Sequence, residues 1–180
     1  SYECYINSLE VIEKASSYIE KKVKENGSVF GGQKIESLPA DQRKDQAAKL
    51  MPLLRGLASS ENRMIGHFTD SDTVLQFINS NDLEKLAPMG TSCPDHFLRT
   101  KIQPLILDLD KNADLDDTEA VLAKLEPSFE QYRQEYKDYY ESCKHDNSPA
   151  MRDPNPVIII FPGVGMFSFA KNKQTTRVAS

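Results

Sequence analysis

Val157-Ile158-Ile159-Ile160-Phe161-Pro162-Gly163-Val164-Gly165-Met166-Phe167-Ser168-Phe169-Ala170 is the segment whose reading decides the fold. Residues 157–161 are apolar without a break, β-branched as far as Ile160, and bounded by Pro156 and Pro162. That run is too short for a helix and has the length and branching of a buried strand. Pro162 ends it, because proline has no amide proton to give to a ladder. The Gly163-Val164-Gly165 turn then leads into a second short strand around Met166 to Phe169.

Working outward, a stripe of apolar residues at three- and four-residue steps predicts helices. Tyr2, Tyr5, Ile6, Leu9, Ile12, Ile19 and Val23 form one such stripe, ended by Asn26-Gly27. A second helix begins near Leu38-Pro39 and carries Ala47, Leu50, Met51, Leu54 and Leu57, with Pro52 expected to kink or restart it. Arg63 to Phe68 reads as a short strand. A helix capped by Asp70 or Ser71 follows, with Val74, Leu75 and Ile78 on its inner face. Asp82 to Leu86 reads as a helical turn and Leu105 to Leu107 as a buried strand. A long helix follows the acidic stretch, interrupted by Pro127, with Phe129, Tyr132, Tyr136, Tyr139 and Cys143 on one stripe. Residues 146–156 read as a loop. Strands alternating with helices predict an α/β fold, helices layered on a small sheet, in a single domain over 1–180.

The net charge is −5 and the Lys and Arg residues are dispersed. No basic face is visible for a nucleic acid or an anionic membrane. No apolar run approaches the ~20 residues of a membrane span. Cys4, Cys93 and Cys143 are odd in number and widely spaced, which argues against a disulfide framework and for a reducing cytoplasm.

The hairpin segment carries a resemblance. An apolar strand, then Gly163-Val164-Gly165-Met166-Phe167-Ser168-Phe169-Ala170, resembles the strand–turn–strand of the class II aldolase/adducin family, in which Gly-His-Gly precedes an apolar residue and Phe. The family's histidine is a zinc ligand, and Val164 stands in its place. Together with Gly90-Thr-Ser-Cys-Pro-Asp-His-Phe-Leu-Arg-Thr-Lys101, this makes the chain resemble the central region of bacterial bifunctional rhamnulose-1-phosphate aldolase/alcohol dehydrogenases. That family joins a zinc aldolase domain to an NAD(P)-dependent short-chain dehydrogenase/reductase domain. The resemblance implies a non-catalytic middle domain between these two partners, a degenerate aldolase-like fold with no cofactor of its own. It also implies a link to deoxy-ketose 1-phosphate and lactaldehyde chemistry in rhamnose catabolism, and a role in homo-oligomers. Residues 1–27 look like the helix that follows the hairpin of the preceding aldolase domain. The chain departs from the parent's catalytic patterns. It has no His-x-His, its histidines are His67, His96 and His145, and no nucleotide-binding glycine loop is present. The pairs Tyr18/Lys22 and Tyr140/Lys144 match a dehydrogenase spacing but read as neighbours on helix surfaces.

Three other constellations bear on chemistry. Cys93 and His96 have a spacing compatible with metal ligation or a nucleophile pair, but no third group is evident. The plainer reading starts a helix at Pro94-Asp95, with Arg99 and Lys101 projecting as solvated or phosphate-contacting cations. These two, with His96 and the backbone of Gly163 and Gly165, are the candidates for an anionic ligand shared with another domain. Asp108, Asp110, Asn112, Asp114, Asp116 and Glu119 follow the ligand spacing of a calcium loop, although Ala113 replaces the glycine of its sharp turn. A calcium-dependent interaction module is the alternative that this loop raises. A solvated loop capping a helix at Asp116 or Asp117 is the plainer one. The tyrosine stripe reads as a helix's core face rather than a binding platform.

Overall fold

The computed structural model describes residues 2–27, 29–60, 62–91 and 93–180. In chain order the elements are α1 (Tyr2–Asn26), α2 (Ala40–Leu57), β1 (Ile65–Thr69), α3 (Asp72–Ile78), α4 (Leu83–Leu86), α5 (Pro94–Thr100), β2 (Leu105–Ile106), α6 (Thr118–Cys143), β3 (Ile158–Phe161), β4 (Gly165–Ala170) and α7 (Lys173–Ala179). The strands form one mixed sheet in the order β1-β4-β3-β2. The β3–β4 hairpin is antiparallel, Ile158 facing Ser168 and Phe161 facing Gly165. On one edge β1 runs antiparallel to β4, from Ile65 opposite Ala170 to Thr69 opposite Met166. On the other edge β2 runs parallel to β3. The chain is α/β.

The unbroken apolar run of β3 has a direct cause. Ile159 and Phe161, with Phe167 and Phe169 of β4, pack with Leu50 and Leu54 of α2 and Leu125 and Phe129 of α6. Ile158 and Ile160 face the other way, against Ile78, Leu83, Ala87 and Ala179. A strand covered on both faces needs no alternation.

Pro52 and Pro127 do not end their helices: α2 and α6 continue through them. Both prolines are exposed, so water can take the carbonyl each leaves free. Leu50 and Leu54 around the first, and Leu125 and Phe129 around the second, are buried on one stripe, and that burial outweighs the missing bond. Helix α6 starts where Asp117 accepts from the Ala120 amide. Helix α7 had no counterpart in the sequence reading. Asn172 caps it, and Ser168 of β4 donates to the Thr176 carbonyl within it. Helix α1 ends at Gly27, whose φ of 71° suits glycine. Its apolar stripe stays in solvent, with Tyr2, Leu9, Ile12 and Ile19 all exposed. Among the described residues, no helix is long and apolar enough to cross a membrane.

Candidate functional site

Lys101 sits one residue past α5 with φ 66° and ψ −171°, a backbone region that is almost exclusive to glycine. Holding a side-chain-bearing residue there costs about 1–3 kcal/mol and needs compensation from its surroundings. The surroundings supply it. The Lys101 ammonium donates to the carbonyl oxygens of Asp153 and Asn155 and lies 4.4 Å from the centre of the Tyr136 ring. The side chain therefore does not project into solvent as the sequence suggested. It fastens the end of α5 to the 153–155 segment.

That segment is itself braced. The Asp153 carboxylate accepts from the Asn155 amide, and the Asn155 side chain accepts from Arg133 Nε at 2.8 Å. Arg133 also donates to the Leu57 carbonyl, so α2, α6 and the segment meet at one guanidinium. Above this floor opens a groove of about 880 Å³, lined by Arg99, Lys101, Arg152, Lys171, Tyr136 and Tyr139. Among the described residues, Asp153 is the one carboxylate that lines it. Arg152 donates to the Leu98 carbonyl at 3.2 Å, and the Tyr136 and Tyr139 rings stand tilted, 6.3 Å apart.

Burial pulls the Lys101 ammonium down to about 8; the Asp153 carboxylate opposes this and Arg152 adds to it. Burial raises the Tyr132 and Tyr136 hydroxyls. Lys101 thus holds its proton less tightly folded than unfolded, where about 10.4 is usual. Below pH 8 the folded chain bears the full cost of the buried charge, and stability should rise as pH climbs from about 8 to 10, by roughly 1–2 kcal/mol. Above 10 the two tyrosines reverse the trend, since stability from a raised pKa is lost as pH rises toward that value. Urea midpoints across pH 7–10 measure the rise; Lys101→Met should flatten it, and a flat wild-type profile would refute it.

The other predicted residues lie apart from the groove. His96 lines a smaller apolar recess of about 240 Å³ with Phe77, Ile158 and Met166. Cys93 is exposed, and among the described residues it shares no side-chain hydrogen bond with His96. The donors of the glycine turn are already engaged. Asn79 accepts from the Gly163 amide at 2.6 Å, the Val164 amide reaches the Phe161 carbonyl, and Gly165 pairs in the ladder. A Cβ at Gly163 would sit 2.7 Å from Lys111 Cδ, so a lysine stem fills the space a phosphate would need.

The acidic loop folds on itself. Asp110 and Asp114 each accept from the amide two residues on, Asp117 caps α6, and Lys49 pairs with Asp116 at 2.8 Å. Glu119 lies in the first turn of α6, while Asp108, Asp110 and Asn112 line a separate recess. Among the described residues no three His, Cys, Asp or Glu side chains converge as a metal site, so the groups present do not fit the zinc of an aldolase.

The tyrosine stripe divides along α6. Tyr132 is buried and donates to the Gln103 carbonyl, while Tyr136 and Tyr139 turn into the groove. Sequence reading missed Arg152, Asn155 and Lys171. The Asp153-Pro154-Asn155 run was a turn signal, but nothing in it pointed to a partner on α6.

Residues 45–180 match the family model described as aldolase class II, second domain. The chain belongs to that family. The match takes in the hairpin, the groove and the sheet, and leaves out α1. The chain is also 32% identical, over 179 residues and 99% of its length, to a Bacillus subtilis (strain 168) protein named uncharacterized oxidoreductase YuxG. It spans about a quarter of that relative's length. No solved structure matches.

Proposed function

We propose that this class II aldolase second domain is the non-catalytic middle part of a cytoplasmic parent that joins a zinc aldolase to an NAD(P)-dependent short-chain dehydrogenase. The parent's chemistry on this reading is cleavage of a deoxy-ketose 1-phosphate such as rhamnulose 1-phosphate, followed by redox conversion of lactaldehyde. The observation that carries the reading is Val164. Where the resembling hairpin holds a zinc histidine, this hairpin places a fully buried side chain in the main core. An apolar group there serves packing, and cannot polarise a carbonyl as a metal would. The exposed stripe of α1 supports the same reading, as the face that residues 1–27 would lay on the preceding aldolase domain. The test is an assay of the chain alone and of the whole parent, with zinc and a nicotinamide cofactor present. The parent should cleave rhamnulose 1-phosphate and turn over lactaldehyde while the isolated chain does neither. Turnover by the isolated chain above a heat-treated control would overturn the non-catalytic assignment, and a parent inert toward both substrates would overturn the reaction.

A further inference from the structure

We propose that the groove between α5, α6 and the 149–154 segment binds a small organic phosphate, its dianion held by Arg99, Arg152 and Lys171 and its carbon skeleton lying on Tyr136 and Tyr139. The inference does not rest on the parent's reaction.

Charge is the first argument. Among the described residues, four cationic side chains and one carboxylate line this recess in a chain whose net charge is −5. Dispersed in sequence, they are concentrated by the fold in one place, where a concave, partly apolar wall focuses their field on an anion. Availability is the second. Among the described residues, Arg99 and Lys171 have no ion pair and no side-chain hydrogen bond. Arg152 spends one terminal nitrogen on the Leu98 carbonyl and keeps the rest of its fork free. Planar guanidinium forks with open donors match phosphate oxygens two at a time, and a lysine adds a point charge.

Preorganisation is the third argument. Lys101 spends its own donors on Asp153 and Asn155, so it works as the floor rather than as a ligand. Its backbone is held in a strained region, and strain of this kind gathers at binding sites. By fixing residues 153–155 it fixes the neighbouring Arg152. The size also fits, because about 880 Å³ lies within the range of small-molecule clefts. The tilted tyrosine pair gives an apolar wall for a short carbon chain rather than for a bare ion.

Glycerol 1-phosphate, inorganic phosphate, glycerol and polyglutamate, titrated separately into the chain by calorimetry and by NMR of the tyrosine ring signals, test the proposal. Glycerol 1-phosphate should bind saturably with a Kd of order 0.1–1 mM. Inorganic phosphate should bind several-fold more weakly, and glycerol not at all. The double variant Arg99→Ala/Lys171→Ala changes only exposed side chains and should keep its melting temperature, yet lose about tenfold or more in affinity for glycerol 1-phosphate. The proposal is overturned by no saturation up to ~10 mM glycerol 1-phosphate, well beyond the expected Kd. Undiminished binding by the variant overturns it too, as does inorganic phosphate binding as tightly as glycerol 1-phosphate. Polyglutamate binding without glycerol 1-phosphate binding would mark the groove as a docking face for an acidic protein segment instead.

Discussion

Val164→His should cost the chain about 2–6 kcal/mol of stability and bring no zinc with it. Val164 is fully buried at the tip of the β3–β4 hairpin, packed in the larger core cluster. An imidazole there is larger than the isopropyl group it replaces, and overpacking a tight core costs about 1–3 kcal/mol. It is also polar, and burying its nitrogens without partners adds roughly 1–3 kcal/mol more. The sum is a large share of the 5–15 kcal/mol that domains usually have, so much of the protein should unfold at moderate urea. Zinc cannot rescue it, because a single imidazole falls short of the three protein ligands typical of a catalytic site. The measurement is the urea midpoint with and without ~100-fold excess zinc over a micromolar affinity, at which a real site would add about 2.7 kcal/mol. A zinc-dependent rise confined to the variant would show that the hairpin still holds the rest of a metal site.

The hairpin was legible in the sequence because burial on both faces leaves the same mark, a contiguous apolar run, whatever packs on it. Strand β2 and the Phe129–Tyr132 part of α6 were legible for similar reasons: their apolar spacing is a local property. Helix α7 was not. Lys173-Gln-Thr-Thr-Arg-Val-Ala179 has no apolar stripe, and only Thr176 and Ala179 are buried. It depends on the Asn172 cap and on Ser168, a hydroxyl from the strand before it. The continuity of the helices through Pro52 and Pro127 was not legible, because proline's cost is local while the burial that outweighs it is tertiary. The groove is the extreme case. Arg99, Tyr136, Arg152 and Lys171 come from four segments that share no period, and only the sheet brings them together. Lys101 carried a misleading signal, since a lysine after a helix suggests a solvated cation. Its positive φ, which turns the side chain inward, has no trace in a sequence without glycine at that position.

The brace beneath the groove gives the other large effect. Asn155→Ala should destabilise the chain by about 2–4 kcal/mol, far more than a loop substitution usually does. Asn155 is buried, and its amide is used at both ends: the oxygen accepts from Arg133, and Nδ2 donates to Ser60 Oγ at 3.2 Å. Hydrogen bonds to a charged partner contribute about 1.5–3 kcal/mol, and losing this one leaves part of a half-buried guanidinium unpaired. The Ser60 bond and the lost packing supply the rest. Arg133→Ala removes the same bond from the other side, so the two substitutions should not add. A double-mutant cycle on urea midpoints should give a coupling of about 1–3 kcal/mol. The Lys101 bonds to this segment go to backbone carbonyls, so they survive the substitution and the pH-dependent rise should persist in Asn155→Ala. A variant within ~0.5 kcal/mol of the wild type, the range of ordinary surface changes, would show that Lys101 alone holds the segment. Strict additivity with Arg133→Ala would show that the guanidinium acts through Leu57 rather than through Asn155.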